Sequence, residues 1–273
     1  MHVRSIFSLL AVFSCVPIMR PFVVAVGWIL LGALTCACAD SIVYKTVSQE
    51  ANTVKFDPQN AQAPGLSVEI MQALEAADPS IHFSGTDQFY PLKRVVSEMD
   101  QGKIDIFIGL VKSPGRADKL RFIASPILYV QQDQVAVRAN DPVVVSNFDD
   151  IRKLKAEGVI GVPQGSILAD YLQGVGGLNI DDGAVSLIST LKKLNLGRVR
   201  FVYSGGAVLR KTIDDLQLQG QIKVLPAVLH EESLQIAVSR SLDPAKLARL
   251  QAALDEIARN GELGRLRTKY QVK

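Results

Sequence analysis

The chain has 273 residues, with 30 Lys+Arg set against 27 Asp+Glu, and 48% of it is apolar. So even a charge balance argues against a nucleic-acid surface, and the ordinary apolar and charged fractions argue against a disordered or fibrous chain. The three cysteines, Cys15, Cys36 and Cys38, all lie at the amino-terminal end.

That end reads as an export leader. Arg4 and Arg20 precede an apolar run over residues 21–34, which closes in the small residues Ala37-Cys38-Ala39. Cleavage after Ala39 is expected, which makes residues 1–39 a signal peptide and the mature chain periplasmic. The run is shorter than the roughly 20 apolar residues a membrane-spanning helix needs. Neither Cys36 nor Cys38 sits in a good lipid-attachment pattern. Cleavage removes every thiol, so no disulfide and no cysteine metal site is expected. It also leaves twenty-eight basic residues against twenty-seven acidic ones.

Beyond the leader, short apolar strands alternate with amphipathic helices. Residues 41–47, 81–85 and 104–110 are predicted strands, and residues 66–77 and 92–101 are predicted helices. Gly102 stops the second helix with an expected left-handed cap. After Asn140-Asp141-Pro142 a second run begins, with helices at 148–157, 166–173, 185–194 and 207–217 and strands at 159–162, 200–203 and 222–225. A long helix over 244–260 opens with Asp243 as cap and Pro244 at its first position, and a short helix follows over 262–270. Segments 132–138 and 233–240 alternate apolar and polar residues and start polar, as extended crossings between two lobes do. The whole pattern predicts an α/β fold with largely parallel sheets.

The run Gly102-Lys103-Ile104-Asp105-Ile106-Phe107-Ile108-Gly109-Leu110, the turn Ser113-Pro114-Gly115-Arg116 and the segment Phe122-Ile123-Ala124-Ser125-Pro126 resemble the family 3 solute-binding proteins. Those are polar-amino-acid receptors of ABC importers. Gly65-Leu66-Ser67-Val68-Glu69, Gly161-Val162-Pro163-Gln164-Gly165-Ser166 and Asn260-Gly261-Glu262-Leu263 resemble further parts of the family pattern in the right order. The resemblance implies a two-lobed periplasmic-binding-protein type II fold with a ligand cleft between the lobes. Lobe 1 is expected over 40–135 plus 236–273, and lobe 2 over 136–235. It further implies a monomer that captures a small carboxylate-bearing ligand for a membrane permease or a membrane sensor, with no enzyme activity, no cofactor and no metal.

The chemistry of the motif agrees. Pro114 and Gly115 fix a turn past the carboxyl end of a strand, where open α/β sheets bind ligands. Arg116 there can grip a carboxylate by two charge-assisted hydrogen bonds, with Ser113 adding a third and Leu110 ending the strand beneath. Gly165 and Ser166 begin a helix whose free N–H groups suit the same anion from lobe 2, although a serine in that place also simply caps its helix. Arg94 is placed as a second cleft cation or a salt-bridged surface arginine, and Tyr90 as a stacking ring or a packed one.

One departure bears on the ligand. In the family's amino-acid receptors an aspartate that pairs with the ligand's ammonium follows a Gly-x-Val-Asp-Ala strand. Here Gly197-Arg198-Val199-Arg200-Phe201-Val202-Tyr203-Ser204-Gly205 puts Arg200 and Gly205 at the two acidic places. Either the ligand lacks that ammonium, or Glu50 or Glu231 replaces the aspartate, or the ligand is not an amino acid. His82 and His230 form no metal-spaced pair, and no nucleophile elbow or phosphate loop occurs. A dehydratase reading through Glu50, Glu69 or Glu231 rests on fold analogy alone.

Overall fold

The computed structural model describes residues 41–50, 52–57, 59–164 and 166–273. The expected leader over 1–39 and Gly165 lie outside them. No helix among the described residues is long and apolar enough to cross a membrane.

The described residues begin with β1 (Ile42–Lys45), β2 (Ser48–Gln49), α1 (Leu66–Ala77), β3 (Ile81–Ser84), β4 (Phe89–Tyr90), α2 (Leu92–Asp100) and β5 (Ile106–Val111). They continue through the single turn α3 (Pro114–Ala117), β6 (Leu120–Phe122) and the long β7 (Tyr129–Arg138). A second set follows: α4 (Phe148–Arg152), β8 (Val159–Pro163), α5 (Ile167–Val175), β9 (Asn179–Ala184), α6 (Leu187–Asn195), β10 (Phe201–Gly205), α7 (Gly206–Asp215) and β11 (Ile222–Val224). The long β12 (His230–Ser239), α8 (Pro244–Arg259) and α9 (Glu262–Lys269) close it.

Parallel pairing joins β1 to β3, β2 to β4, and β8 to both β9 and β10. The remaining ladders correct the expectation of largely parallel sheets: β12 runs antiparallel to β5, β6 and β7, and β7 antiparallel to β10 and β11. Two long strands crossing in opposite senses impose that reversal, and they tie β5-β12-β7-β10-β8-β9 into one path.

Three apolar clusters fill the body. One gathers Tyr44, Leu66, Ile70, Ile106, Ile108, Ile236, Leu254 and Leu266, among others, under α1, α8 and α9. The other two lie on opposite faces of the second strand set, because successive side chains of a strand alternate sides. Val135, Phe201 and Tyr203 belong to one, and Ala136 and Val202 to the other. Between the first cluster and these two, β7 carries Gln131, Gln132, Asp133 and Gln134, and β12 carries His230, Glu231, Glu232 and Ser233. The polar starts of both crossing strands thus fall where the apolar cores are interrupted.

The expected helix over 148–157 is instead α4 followed by a short 3-10 turn at Lys155–Glu157. Asn147 starts α4 by accepting from the N–H groups of Asp149 and Asp150, and Gly158, closely backed by the Ile151 carbonyl, ends the turn.

Candidate ligand-binding site

Ser113 precedes α3 in extended conformation, and its carbonyl accepts from the N–H groups of Arg116 and Ala117 at 3.1 and 2.8 Å. Pro114 at the first helical position supplies a preset φ without wasting a donor. The turn so formed folds the half-buried Arg116 back over the end of β5, where its Nη1 donates to the Val111 carbonyl at 2.9 Å. Burial lowers its pKa, and the carboxylate of Glu232 on β12 opposes that shift. Among the described residues no carboxylate forms an ion pair with Arg116.

Leu110 is 1% exposed, so its side chain belongs to the core and only its backbone can face a ligand. Ser166 caps α5 by accepting from the Ala169 N–H at 3.3 Å. Tyr90 pairs with Gln49 in the β2–β4 ladder, and its hydroxyl donates to Gln88.

Arg94 takes the surface alternative. Its Nε bonds Glu98 one turn on at 2.8 Å, its guanidinium lies 3.6 Å from the Tyr90 ring centroid, and its side chain is 54% exposed. The spacing of four residues along α2 makes that pair a local one. The second cation beside Arg116 is Lys55, in the segment between β2 and α1. It is 7% exposed, and its Nζ donates to the Gly109 carbonyl at 2.7 Å. Burial first, and then the Arg116 charge, lower its pKa to about 7.

Glu232 of β12 acts on the Arg116 charge, and around it β7 and β12 carry a cluster of polar and titratable side chains. His230 lies opposite Asp133, and Glu232 opposite Gln131, and directly paired residues share a sheet face. His230 bonds Glu232 at 2.8 Å. Asp133 is wholly buried and accepts from the Gln131 amide at 2.8 Å and the Tyr203 hydroxyl at 3.2 Å. Desolvation pushes its carboxyl up to about 6, against the pull of those two donors. Tyr171 of α5 stacks on both His230 and Tyr203, 4.0 Å from the imidazole centroid.

The two departures noted in the sequence have different fates. Arg200 turns away to pair with Asp141 at 2.9 Å and Glu157 at 3.4 Å. Gly205 ends β10 at the start of α7, and Gln131 fills the space its Cβ would need, at 2.8 Å. Glu231 pairs with Lys273, and Glu69 with Lys269 and Tyr270. Reasoning from sequence missed Lys55, Gln131, Asp133 and Glu232; only the polar starts of the crossing strands signalled the last three.

Apolar cores on either side of two polar crossing strands, with a guanidinium at a strand's carboxyl end beside them, define a two-lobed type II periplasmic-binding fold. The chain belongs to the bacterial extracellular solute-binding proteins, family 3, whose pattern it matches over residues 46–273. No curated protein matches its sequence. It is similar in fold to a probable amino-acid ABC transporter extracellular-binding protein of Bacillus subtilis, with 18% identity, TM-score 0.70, and 85% of this chain and 98% of that one covered. A histidine kinase sensor domain with similarity to periplasmic binding proteins matches at 19% identity and TM-score 0.66, over 84% of this chain and 95% of that one. An ancestral amino-acid-binding protein described as a precursor of cyclohexadienyl dehydratase matches at 18% identity and TM-score 0.63, over 84% and 95%.

Proposed function

We propose that this chain is an exported, non-catalytic receptor that captures a small carboxylate-bearing solute and delivers it to the permease of an ABC importer. The observation that carries the reading is Arg116: a half-buried guanidinium whose one partner among the described residues is a backbone carbonyl, at the place where a carboxylate is expected. A cation so desolvated gains from a bound anion more than a solvated one does.

Lobe 1 comprises residues 40–135 plus 236–273 and lobe 2 comprises 136–235; the interruption of the apolar cores at β7 and β12 supports that division. Ligand held by Arg116 and Ser113 draws the amino end of α5, at Ser166, against it, and closure follows by bending at the two crossing strands. The likeness to a sensor domain supports a second partner, a membrane signalling protein that reads the closed form.

Thermal-shift screening against amino acids, dicarboxylates and other small anions tests the reading. A ligand at a hundred times its Kd adds about 2.7 kcal/mol. Arg116→Ala abolishes that shift; a shift retained by the variant removes Arg116 from the site. Co-purification with a permease, rather than with a sensor, separates the two partners.

A further inference from the structure

Near the crossing strands a crevice is lined by Asn52, Lys55, Gln131, Gly205, Arg210 and Lys273, among others. Its cations are Lys55, Arg210 and Lys273, and among the described residues no Asp or Glu side chain contributes to its lining. Lys273 is neutralised by Glu231 at 3.0 Å. The other two are not: Arg210 donates to the Gln134 amide oxygen at 2.9 Å, and Lys55 to the Gly109 carbonyl and, at 3.4 Å, to the Gln49 amide. An ammonium 7% exposed with neutral partners alone keeps most of its desolvation penalty. The ten-residue α7 begins in the same wall at Gly205 and Gly206, with no side chain capping its first N–H groups, so its positive end adds to the same field.

Lys55 and Arg116 are held by carbonyls two residues apart on β5, at Gly109 and Val111. Gly109, at φ 83°, is a bulge in that strand opposite the register shift between Gln235 and Ile236, and both cations are gathered at this end of β5.

We infer that this crevice is a second anion subsite, in which Lys55, Arg210 and the amino end of α7 take a second acidic group, so that the solute is a dianion of the dicarboxylate class. The inference rests on the assignment of the first carboxylate to Arg116. It accounts for the missing acid at Gly205: an aspartate there would put negative charge beside the group to be bound. Arg116 is the charge that acts most on Lys55; Arg210, Lys273 and Tyr129 share its crevice, Glu231 neutralises Lys273, Asp57 two residues along is held by Lys211 of α7, and Glu232 acts on Arg116. Since burial lowers the Lys55 pKa to about 7, an arriving carboxylate stabilises its charged form and draws in a proton.

Titration calorimetry of the purified protein with succinate, glutarate and adipate, each beside its monoamide, tests this on the wild type, Lys55→Met and Arg116→Ala. We expect at least one dicarboxylate to bind tenfold or more tighter than its monoamide. Lys55→Met brings the pair within twofold, whereas Arg116→Ala loses both ligands. No dicarboxylate binding, no preference over the monoamide, or a preference that survives Lys55→Met overturns the inference. Undiminished binding by Arg116→Ala overturns the reading of the first subsite instead. Should Lys55→Met not fold, wild-type binding enthalpies at pH 7.5 in HEPES and Tris decide: fractional proton uptake is expected, and zero uptake overturns the inference.

Discussion

The Nζ of Lys211 on α7 lies 3.3 Å from the Oδ2 of Asp57, in the segment between β2 and α1. Beside it the hydroxyl of Thr53 donates to Asp215 at 3.3 Å, and Asp215 also holds Lys211. A helix of the second strand set is thereby fastened to the segment that carries Lys55. Lys211→Ala removes a partly exposed pair worth about 1 kcal/mol or less. The expected result is a two- to fivefold weaker Kd for whatever solute binds, through a faster off-rate, with thermal stability nearly unchanged. Stopped-flow dissociation measures it.

Asp133 predicts a distinctive pH profile. Its carboxyl titrates at about 6 in the folded chain against an ordinary 3.8, so the folded state holds a proton that the unfolded state has released. Its contribution to stability is full below pH 3.8 and is lost as pH rises through 6, by up to about 3 kcal/mol. Asp133→Asn, near in shape and always neutral, removes that slope. Urea midpoints at pH 4 and pH 7 for both proteins check it.

Lys55 works in the opposite direction across a higher window. With its folded pKa near 7 and an ordinary value of 10.5, the unfolded chain holds the proton between those limits. Stability therefore rises with pH from about 7 toward 10, and below 7 the whole penalty of the buried ammonium remains. Lys55→Met flattens the rise and is more stable than the wild type at pH 6, by a few kcal/mol at most. Denaturant unfolding at pH 6 and pH 9 measures both effects.

Gly65, just before α1, sits at φ 112°, and a Cβ there would come within 2.1 Å of the Lys55 carbonyl. Glycine alone tolerates that backbone. Gly65→Ala is expected to destabilise the fold by more than about 2 kcal/mol and to push the segment bearing Lys55 out of place. Loss of any dicarboxylate preference at temperatures where the variant is still folded distinguishes the displacement from simple unfolding.

Much of this fold could be read from residue order. The helix expected over 66–77 is the one found, because Gly65 marks its start and its apolar residues recur at helical spacing. The strands at β5 and β10 and the helix over Pro244–Arg259 follow the same logic. The strand β9 was not legible: Asn179-Ile180-Asp181-Asp182-Gly183-Ala184 is polar at an edge of the sheet, and its partner β8, not its composition, makes it a strand. Arg94 was ambiguous, since helical spacing allows a pair with Glu98 but does not say which side of α2 the guanidinium takes.

By itself the sequence determined the alternation of strands and helices, the proline-glycine turn that presents Arg116, and the absence of an acid at Gly205, because each rests on local periodicity or on the identity of one residue. Only the tertiary structure decided that Lys55 is buried beside Arg116, that His230 meets Asp133 across two strands, and that α7 opens into the crevice lined by Lys55 and Arg210. Those are distances between residues far apart in the chain, set by strand register and by the desolvation that packing imposes.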